Sequence, residues 1–183
     1  DLYRVFYSHP SVKILCEGAQ GFELDIDWGD YPYVTSSHTT TASALLNCIP
    51  PQAIRHVWGV AKVYDTYVGT KSFEPDGNIF KRMREYGEEY GATTGRPRQC
   101  NWLNLDNMIK SLAVNGVTHL VFNKTDVLEK LDDYRLIFNN RVERFSSLAS
   151  MKKYISIHLP LHVKSRIQRV LYSGDKNGLD IAA

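Results

Sequence analysis

The segment from residue 104 to residue 126 limits the fold more than any other part of the sequence. Four apolar residues recur there at the helical spacing i, i+3, i+4 and i+7, namely Leu105, Met108, Ile109 and Leu112. This spacing predicts an amphipathic helix that Asn104 caps and Asn115-Gly116 ends. Thr118–Phe122 is then a predicted strand, and it delivers Asn123–Asp126 at its carboxyl end. This order is typical of an α/β fold with a mostly parallel central sheet and flanking helices, in which ligands bind at the carboxyl ends of strands.

Other parts of the chain fit the same fold class. Short apolar runs predict three further strands, at Lys13–Cys16, Val57–Tyr64 and Ile167–Leu171, of which the first two are expected to be buried. A short helix is predicted near Ile79–Tyr86, and Leu148, Met151 and Ile155 share one face of another. Because the sequence has no internal repeat, low-complexity tract or linker, residues 1–183 are interpreted as a single domain.

Composition excludes several classes of protein. A hydrophobic content of 43% and a charged content of 23% are typical of a soluble globular protein. The net charge of +2 does not suggest a nucleic-acid-binding surface, and the longest apolar stretches, such as Leu120–Phe122, are too short to cross a membrane. The three cysteines (Cys16, Cys48 and Cys100) form no CxxC pair, so we interpret them as reduced thiols of a cytoplasmic protein.

Histidine spacing gives no metal site. His158 and His162 are spaced like a helical metal pair, but Pro160 between them is expected to interrupt the helix. His119 lies in an apolar run and is interpreted as a structural residue. The chain begins at Asp1, with neither a methionine nor a signal peptide, which suggests a fragment of a longer protein or a chain that has been trimmed upstream.

The segment Asn123–Asp126 has the composition of a guanine-binding loop. A carboxylate at Asp126 can accept hydrogen bonds from N1–H and the 2-amino group of guanine, which adenine does not offer. The stem of Lys124 can cover the base while its ammonium group stays solvated. The alternative interpretation is a polar turn after a strand.

The segment Gly91–Arg98 is a candidate anion-binding loop. Gly91 and Gly95 allow a ligand to approach the backbone closely, and Arg96 and Arg98 can each grip a carboxylate or phosphate through two hydrogen bonds. Solvated arginines are the alternative. The sequence contains no GxxxxGK[ST] phosphate loop.

A third block, Glu17–Gly21, follows the first predicted strand. Its Gln20 could donate a hydrogen bond to a carbonyl or an oxyanion, although a simple glycine turn explains the block as well. The polar residues from Tyr31 to Thr41 suit either a loop that lines a site or an ordinary surface loop.

In this order, the blocks resemble the carboxyl-terminal half of adenylosuccinate synthetase. The matching segments are EGAQGFELDIDWGDYPYVTSSHTT at Glu17–Thr40, EYGATTGRPRQCNWL at Glu89–Leu103 and NGVTHLVFNKTDVLEKL at Asn115–Leu131, with a weaker match of MKKYI at Met151–Ile155 leading to YSGD at Tyr172–Asp175. The resemblance covers nearly the whole chain and implies the carboxyl-terminal part of a P-loop-NTPase-like synthetase fold.

The resemblance implies a reaction in which GTP, IMP and L-aspartate give adenylosuccinate, GDP and phosphate, with Mg²⁺ required and a homodimer as the assembly. At matching positions it implies IMP binding by Gln20, Thr35, Val68 and Arg96, with Gln20 also supporting the oxyanion that develops at the 6-oxygen. It implies aspartate binding by Ala92, Thr93, Thr94, Gly95, Arg96 and Arg98. It implies GTP binding by Arg98, Lys124, Thr125, Asp126, Tyr172, Ser173 and Gly174.

The resemblance also implies that part of the site is absent from this sequence. The family's phosphate loop, its catalytic aspartate and histidine and its Mg²⁺ ligands lie upstream of the first matching block. We therefore expect this chain alone to be inactive, and we expect a sheet without its preceding strands to expose an edge.

Several positions depart from the family. Tyr67 stands where arginine is usual, His38 where asparagine is usual and Asp175 where proline is usual. The segment between Leu131 and Met151 is short, as in compact archaeal and phage synthetases, some of which use dGMP instead of IMP. Two alternatives therefore stay open, a phage-type synthetase with dGMP as acceptor and a non-catalytic guanine-nucleotide-binding fragment.

Overall fold

The computed structural model describes residues 4–5, 8–9, 11–163, 167–175, 178 and 180–181. Within these residues the strands are β1 (Trp58–Lys62), β2 (Tyr64–Tyr67), β3 (Gln99–Asn104), β4 (His119–Asn123), β5 (Tyr134–Phe138), β6 (Arg141–Phe145), β7 (Arg169–Tyr172) and β8 (Asp180–Ile181). The α-helices are α1 (Ala42–Leu46), α2 (Asn78–Gly87), α3 (Leu105–Asn115), α4 (Thr125–Leu131) and α5 (Leu148–His162), and short 3-10 turns cover Phe22–Leu24 and Pro51–Ala53.

The first sheet has the strand order β1-β4-β7-β8. Its first three strands are parallel, and β8 pairs antiparallel with β7. Lys62 pairs with Asn123, and Phe122 pairs with Tyr172, so the carboxyl ends of the three parallel strands meet at one edge. The predicted α/β class, with a parallel sheet and flanking helices, is confirmed.

A second sheet, with the order β2-β3-β5-β6, was not predicted. Its β3–β5 pair is parallel, whereas β2–β3 and β5–β6 are antiparallel. Asn139 and Asn140 connect β5 to β6, and both have positive φ angles, of 50° and 58°. Asparagine tolerates this conformation, and two-residue hairpin loops require it, so the Asn-Asn pair was an available but unused turn signal.

Helices α2 and α3 agree closely with the sequence predictions, whereas α1 and α4 were not predicted. Helix α2 covers the predicted segment near Ile79–Tyr86. The side chain of Asn104 accepts a hydrogen bond from Asn107 N at 3.1 Å, and Gly116 ends α3 with a φ of 61°. The prediction that Pro160 interrupts the last helix is wrong, since α5 continues to His162 with the proline in its final turn.

Helix α5 begins at a capping box, in which Ser147 and Ser150 bond each other's backbone N–H groups. The rings of His158 and His162 stack with their centroids 6.1 Å apart, and both contact the Phe138 ring. The two histidines are thus part of an aromatic cluster.

A hydrophobic core lies between the sheets and the helices. Apolar side chains from both sheets and from α2, α3, α4 and α5 fill it, among them Met83, Leu103, Leu112, Phe122, Leu128, Leu136 and Met151. The apolar face predicted for α3 is confirmed, because Leu105 and Leu112 are buried and Met108 and Ile109 pack against the core. The interpretation of residues 1–183 as a single domain stays a prediction.

Two of the predicted strands need correction. Lys13–Cys16 forms no strand and is exposed, with Leu15 at 92%. Val57–Tyr64 is divided between β1 and β2. One face of β1 is exposed, at Trp58 and Val60, and the other is only half-buried, with Gly59 lying against Val117 and Leu120. An apolar run at a sheet edge therefore looked like a buried strand.

The third predicted strand, Ile167–Leu171, is confirmed with its bounds moved to Arg169–Tyr172. Buried His119 contacts the rings of Trp58 and His56, as expected of a structural residue. No helix in the described residues is both long enough and apolar enough to span a membrane.

Candidate functional site

The Asn123–Asp126 loop and the residues after β7 are in direct contact. Lys124 has a φ of 64°, which turns the chain sharply between β4 and α4. Ser173 N donates to Phe122 O at 2.8 Å, and Thr125 N donates to Ser173 O at 3.2 Å. A Cβ atom on Gly174 would lie 3.1 Å from Thr125 Oγ1, so only glycine fits this approach without a shift. The fold thus brings together the residues predicted to bind guanine.

Asp126 lies in the first turn of α4. Its carboxylate is 32% exposed and pairs with Lys130 Nζ at 3.0 Å, one helical turn later. Such surface pairs contribute only about 0.3–0.5 kcal/mol, so a ligand that offers better hydrogen bonds can displace the lysine.

Lys124 differs from its predicted geometry. Its ammonium group was expected to stay solvated, but Nζ donates to Gly87 O at 2.9 Å. Gly87 is the last residue of α2, shortly before the Gly91–Arg98 loop. This contact therefore joins the predicted guanine loop to the end of α2, just before the predicted aspartate loop begins.

The side chain of Tyr172 is part of the core. It is buried, its ring stacks on Phe122 with centroids 5.3 Å apart, and Lys152 Nζ lies 4.7 Å from the ring centroid. Burial raises the pKa of the Tyr172 hydroxyl. Tyr172 can therefore support the adjoining loop from behind, while its side chain is closed to a ligand.

A small cavity borders this loop. It has a volume of about 210 Å³ and is lined by Thr125, Glu129, Lys152, Gly174, Asp175 and Gly178. Pockets for drug-sized ligands usually measure about 300–1,000 Å³, so this one has room for only part of a nucleotide, and Asp126 is not among its lining residues.

The Gly91–Arg98 loop is closed by its own backbone. Gly95 N donates to Gly91 O at 2.8 Å, Gly91 N donates to Arg96 O at 2.9 Å, and Gly95 has a φ of 63°. The predicted aspartate-binding residues Ala92, Thr93, Thr94, Gly95 and Arg96 are all exposed. The loop thus presents hydroxyl groups and a guanidinium group to solvent.

Arg96 lies beside the exposed Val68, since its Nη2 donates to Gly69 O at 3.3 Å. Lys71, two residues after Gly69, forms an ion pair with Asp30 in which Nζ and Oδ2 are 2.7 Å apart. Asp30 belongs to the segment of residues 17–40, which carries the other predicted IMP-binding residues. The described contacts therefore link all three predicted groups of site residues.

Within the segment of residues 17–40, Asp25 is the buried anchor. Its carboxylate accepts hydrogen bonds from the backbone N–H groups of Thr39, Asp27 and Trp28, at 2.6, 3.0 and 3.1 Å. Burial opposes ionisation, but these donors and the nearby His38 lower the pKa of Asp25 overall. The segment is thereby folded on itself, with Gln20 exposed at a φ of 68° and Thr35 half-buried.

One cluster of three potential metal ligands occurs in the described residues. It consists of Asp25, Asp27 and His38, with ligand atoms within 4.8 Å of one another. Both oxygens of Asp25 already accept backbone hydrogen bonds. The set does not fit Mg²⁺, which prefers octahedral oxygen ligands, and we assign no ion to it.

Sequence reasoning missed Glu89 as a site residue. Its side chain is 2% exposed and accepts hydrogen bonds from Tyr64 Oη at 2.7 Å, Lys62 Nζ at 2.8 Å and Arg98 Nη1 at 3.1 Å. Burial acts to raise the pKa of Glu89, but the Lys62 and Tyr64 hydrogen bonds outweigh it and hold the pKa below its usual value. The one signal in the sequence was an acidic residue two positions before an arginine-rich loop.

Comparison with known sequences identifies relatives. A family model described as adenylosuccinate synthetase matches residues 6–154. The chain is 43% identical over 134 residues to adenylosuccinate synthetase of Salinibacter ruber, covering 72% of this chain and 30% of the relative. It is 47% identical over 131 residues to that of Phocaeicola vulgatus, covering 68% and 30%. The chain thus spans about 30% of the length of the curated relatives that it matches.

Solved structures give the same result. The fully ligated adenylosuccinate synthetase of Plasmodium falciparum superposes with a TM-score of 0.82 at 25% identity, covering all of this chain and 54% of that one. Cyanophage S-2L succinoaminodeoxyadenylate synthetase, bound to dGMP and dATP, superposes with a TM-score of 0.60 at 20% identity, covering 90% and 45%, which shows a shared fold. The family match, the sequence relatives and the Plasmodium structure agree, and the chain belongs to the adenylosuccinate synthetase family.

Proposed function

We propose that this chain carries the guanine site, the aspartate site and part of the IMP site of a GTP-dependent ligase that joins L-aspartate to IMP. The products are adenylosuccinate, GDP and phosphate. The observation that carries the proposal is the hydrogen bond from Lys124 Nζ to Gly87 O, which holds the guanine loop against the segment that leads into the aspartate loop. In the proposed reaction GTP and L-aspartate act in turn at the same carbon of IMP, so their two binding sites have to lie close together.

In this proposal Asp126 selects guanine. Its carboxylate accepts hydrogen bonds from N1–H and the 2-amino group, while Lys124, Thr125, Ser173 and Gly174 form the wall around the base and Tyr172 supports it. Adenine would leave the carboxylate without these donors, and an unsatisfied charged group costs about 1–3 kcal/mol or more. The partial exposure of Asp126 in its surface pair supports this role.

The loop of Ala92 to Arg98 binds L-aspartate. The threonine hydroxyls and the backbone of Gly95 reach the ligand from an exposed loop, and the guanidinium groups of Arg96 and Arg98 match its carboxylates. Arg98 also bridges aspartate and GTP.

IMP lies between this loop and the segment of residues 17–40. Gln20 approaches the 6-oxygen, Thr35 binds the phosphate, and Val68 and Arg96 contact the ribose region. GTP phosphorylates the 6-oxygen, and the aspartate amine then displaces the phosphate at C6 and loses a proton. Mg²⁺ accompanies GTP in this proposal, with ligands outside the matched blocks. We assign no step to a metal ligand of this chain.

The proposed enzyme is a cytoplasmic homodimer. Its catalytic aspartate and histidine also lie outside the matched blocks, so the 183-residue chain by itself is proposed to bind substrates without turnover.

The test measures adenylosuccinate formation from IMP, L-aspartate and GTP by the purified protein, together with GTP and ATP binding by the chain. Guanine-selective binding by the chain and turnover in the presence of the remaining part of the protein are expected. Turnover with dGMP in place of IMP would assign the phage-type acceptor instead. Binding of GTP without turnover of either IMP or dGMP, even with the remaining part of the protein present, would assign a non-catalytic role. Equal binding of GTP and ATP would contradict the proposed guanine site.

A further inference from the structure

Glu89 is a buried carboxylate with two cationic partners. Oε1 accepts from the Tyr64 hydroxyl, and Oε2 accepts from both Lys62 and Arg98. A carboxylate removed from water is stable only when hydrogen bonds and opposite charges replace its hydration. The hydrogen bonds from Tyr64, Lys62 and Arg98 therefore stabilise the ionised Glu89 side chain in its position.

The two cations are not equivalent. Lys62 Nζ is the nearer, at 2.8 Å against 3.1 Å for Arg98 Nη1, and the lysine side chain is less exposed, at 20% against 34%. Because Lys62 alone can balance the charge of Glu89, the positive charge of Arg98 stays available to an external anion. Two cations around one carboxylate thus leave a net positive site beside the aspartate loop.

Arg98 is also fixed by its backbone. Its N–H donates to Glu89 O at 2.9 Å, and its carbonyl accepts from Arg84 Nε at 2.6 Å. Glu89 occupies only Nη1 of the guanidinium group, and the contacts among the described residues give Nε and Nη2 of Arg98 no acceptor. The guanidinium group is planar, so the hydrogen bond at Nη1 restricts its orientation, and the N–H groups of Nε and Nη2 then point in a defined direction.

We propose that Glu89 is a positioning residue that orients the Arg98 guanidinium toward a carboxylate of L-aspartate, with Lys62 and Tyr64 holding Glu89 in place. The identity of the ligand rests on the proposed function, whereas the orientation of Arg98 does not. Glu89 itself does not touch the ligand. Its loss is therefore expected to weaken aspartate binding through disorder of Arg98.

The test follows the side-chain Nε–H signals of Arg98 and Arg84 by NMR in the Glu89→Gln variant, after assignment through Arg98→Lys and Arg84→Lys. The Arg98 signal is expected to shift and broaden because the guanidinium group loses the charged partner of its Nη1. The Arg84 signal is expected to stay, because Nε of Arg84 donates to the backbone carbonyl of Arg98 and its Nη2 pairs with Glu74. The dissociation constant for L-aspartate, measured with IMP and GTP present, is expected to rise about tenfold, and that for GTP by less.

Glu88→Gln is the matched control, since Glu88 is the exposed neighbour of Glu89 and should leave both signals and both affinities unchanged. Should Glu89→Gln fail to fold because Lys62 loses its partner, the double variant Lys62→Met/Glu89→Gln removes both charges and gives the same comparison. An unchanged Arg98 signal in a folded variant, or an equal effect of Glu88→Gln, would overturn the proposal. Absence of aspartate binding by the unmutated protein would count against the proposed function, while the Arg98 signal would still decide the role of Glu89.

Discussion

At the residue scale, the proposed choice of guanine depends on how easily Asp126 can leave its present partner. The Lys130 pair lies on the surface of α4 and contributes about 0.3–0.5 kcal/mol. Hydrogen bonds to a charged group contribute about 1.5–3 kcal/mol each, so guanine N1–H and the 2-amino group can replace the lysine. The same comparison implies that Asp126 contributes little to the stability of the fold.

Replacing Asp126→Asn is therefore expected to lower GTP affinity at least about tenfold and to shift the melting temperature by no more than about 2 °C. Isothermal titration and thermal unfolding measure the two effects. Lys130→Met is the control, since it removes the other member of the pair and should leave GTP affinity equal or higher. GTP affinity that is unchanged in Asp126→Asn would exclude the role of this carboxylate.

At the element scale, the elements predicted best are those whose signals are local. Asn104 and Gly116 define both ends of α3, and a 3.6-residue period defines its buried face. The strand β3 and the hairpin β5–β6 were missed because strands of five or six residues, partly buried on each face, carry little periodicity of their own. The strand predicted at Lys13–Cys16 was wrong although its sequence is apolar. These residues are exposed, and no described residue packs over them.

Gly87, at the end of α2, packs so closely against Tyr64 of β2 that a larger residue at position 87 is expected to destabilise the fold. A Cβ atom on Gly87 would lie 2.3 Å from Tyr64 Oη and 3.3 Å from its Cζ. Gly87→Ala is thus expected to destabilise the protein by roughly 1–3 kcal/mol in urea unfolding. Tyr64→Phe removes the clashing oxygen, so the double variant should be more stable than the sum of the two single effects predicts.

Gly18→Ala provides the reference for this series, because a Cβ atom there meets nothing within 4 Å. Its free energy of unfolding should change by no more than about 0.5 kcal/mol. Strictly additive effects of Gly87→Ala and Tyr64→Phe would show that the tyrosine hydroxyl does not limit this position.

At the scale of the whole molecule, the candidate site is made by contacts between segments that are far apart in sequence. Lys71 with Asp30, Arg96 with Gly69 and Lys124 with Gly87 join the IMP, aspartate and guanine groups. The motifs that carry the proposed site residues could be recognised from the sequence, because each follows an apolar run or contains glycine, while the binding roles of those residues stay predictions. Their mutual contacts, and the role of Glu89, could not, since neither the second sheet nor the pairing of Lys62 with a distant carboxylate leaves a local pattern.

The dependence of stability on pH comes from three carboxylates, of which Asp25 and Glu89 are buried and Asp65 is half-buried, and their pKa values shift in opposite directions. The pKa values of Asp25 and Glu89 are lowered in the folded state, so their contribution is present above about pH 4–4.5 and is lost as the pH falls below it. Asp65 behaves the other way. Burial raises its pKa to about 7, although its carboxylate accepts a hydrogen bond from Asn104 N at 2.8 Å.

Because the folded state resists ionisation of Asp65, stability is expected to fall as the pH rises from about 4 to about 7 and then to level off. Asp65→Asn keeps an acceptor for Asn104 N but cannot ionise, so it should be near neutral at pH 4 and stabilising by roughly 2–4 kcal/mol at pH 8. Urea unfolding at a series of pH values measures this difference. Asp76→Asn makes the same chemical change at an exposed position and should follow the unmutated protein at every pH. If Asp65→Asn also follows the unmutated profile, the Asp65 carboxyl group does not ionise against burial, and the loss of stability above pH 4 must come from other groups.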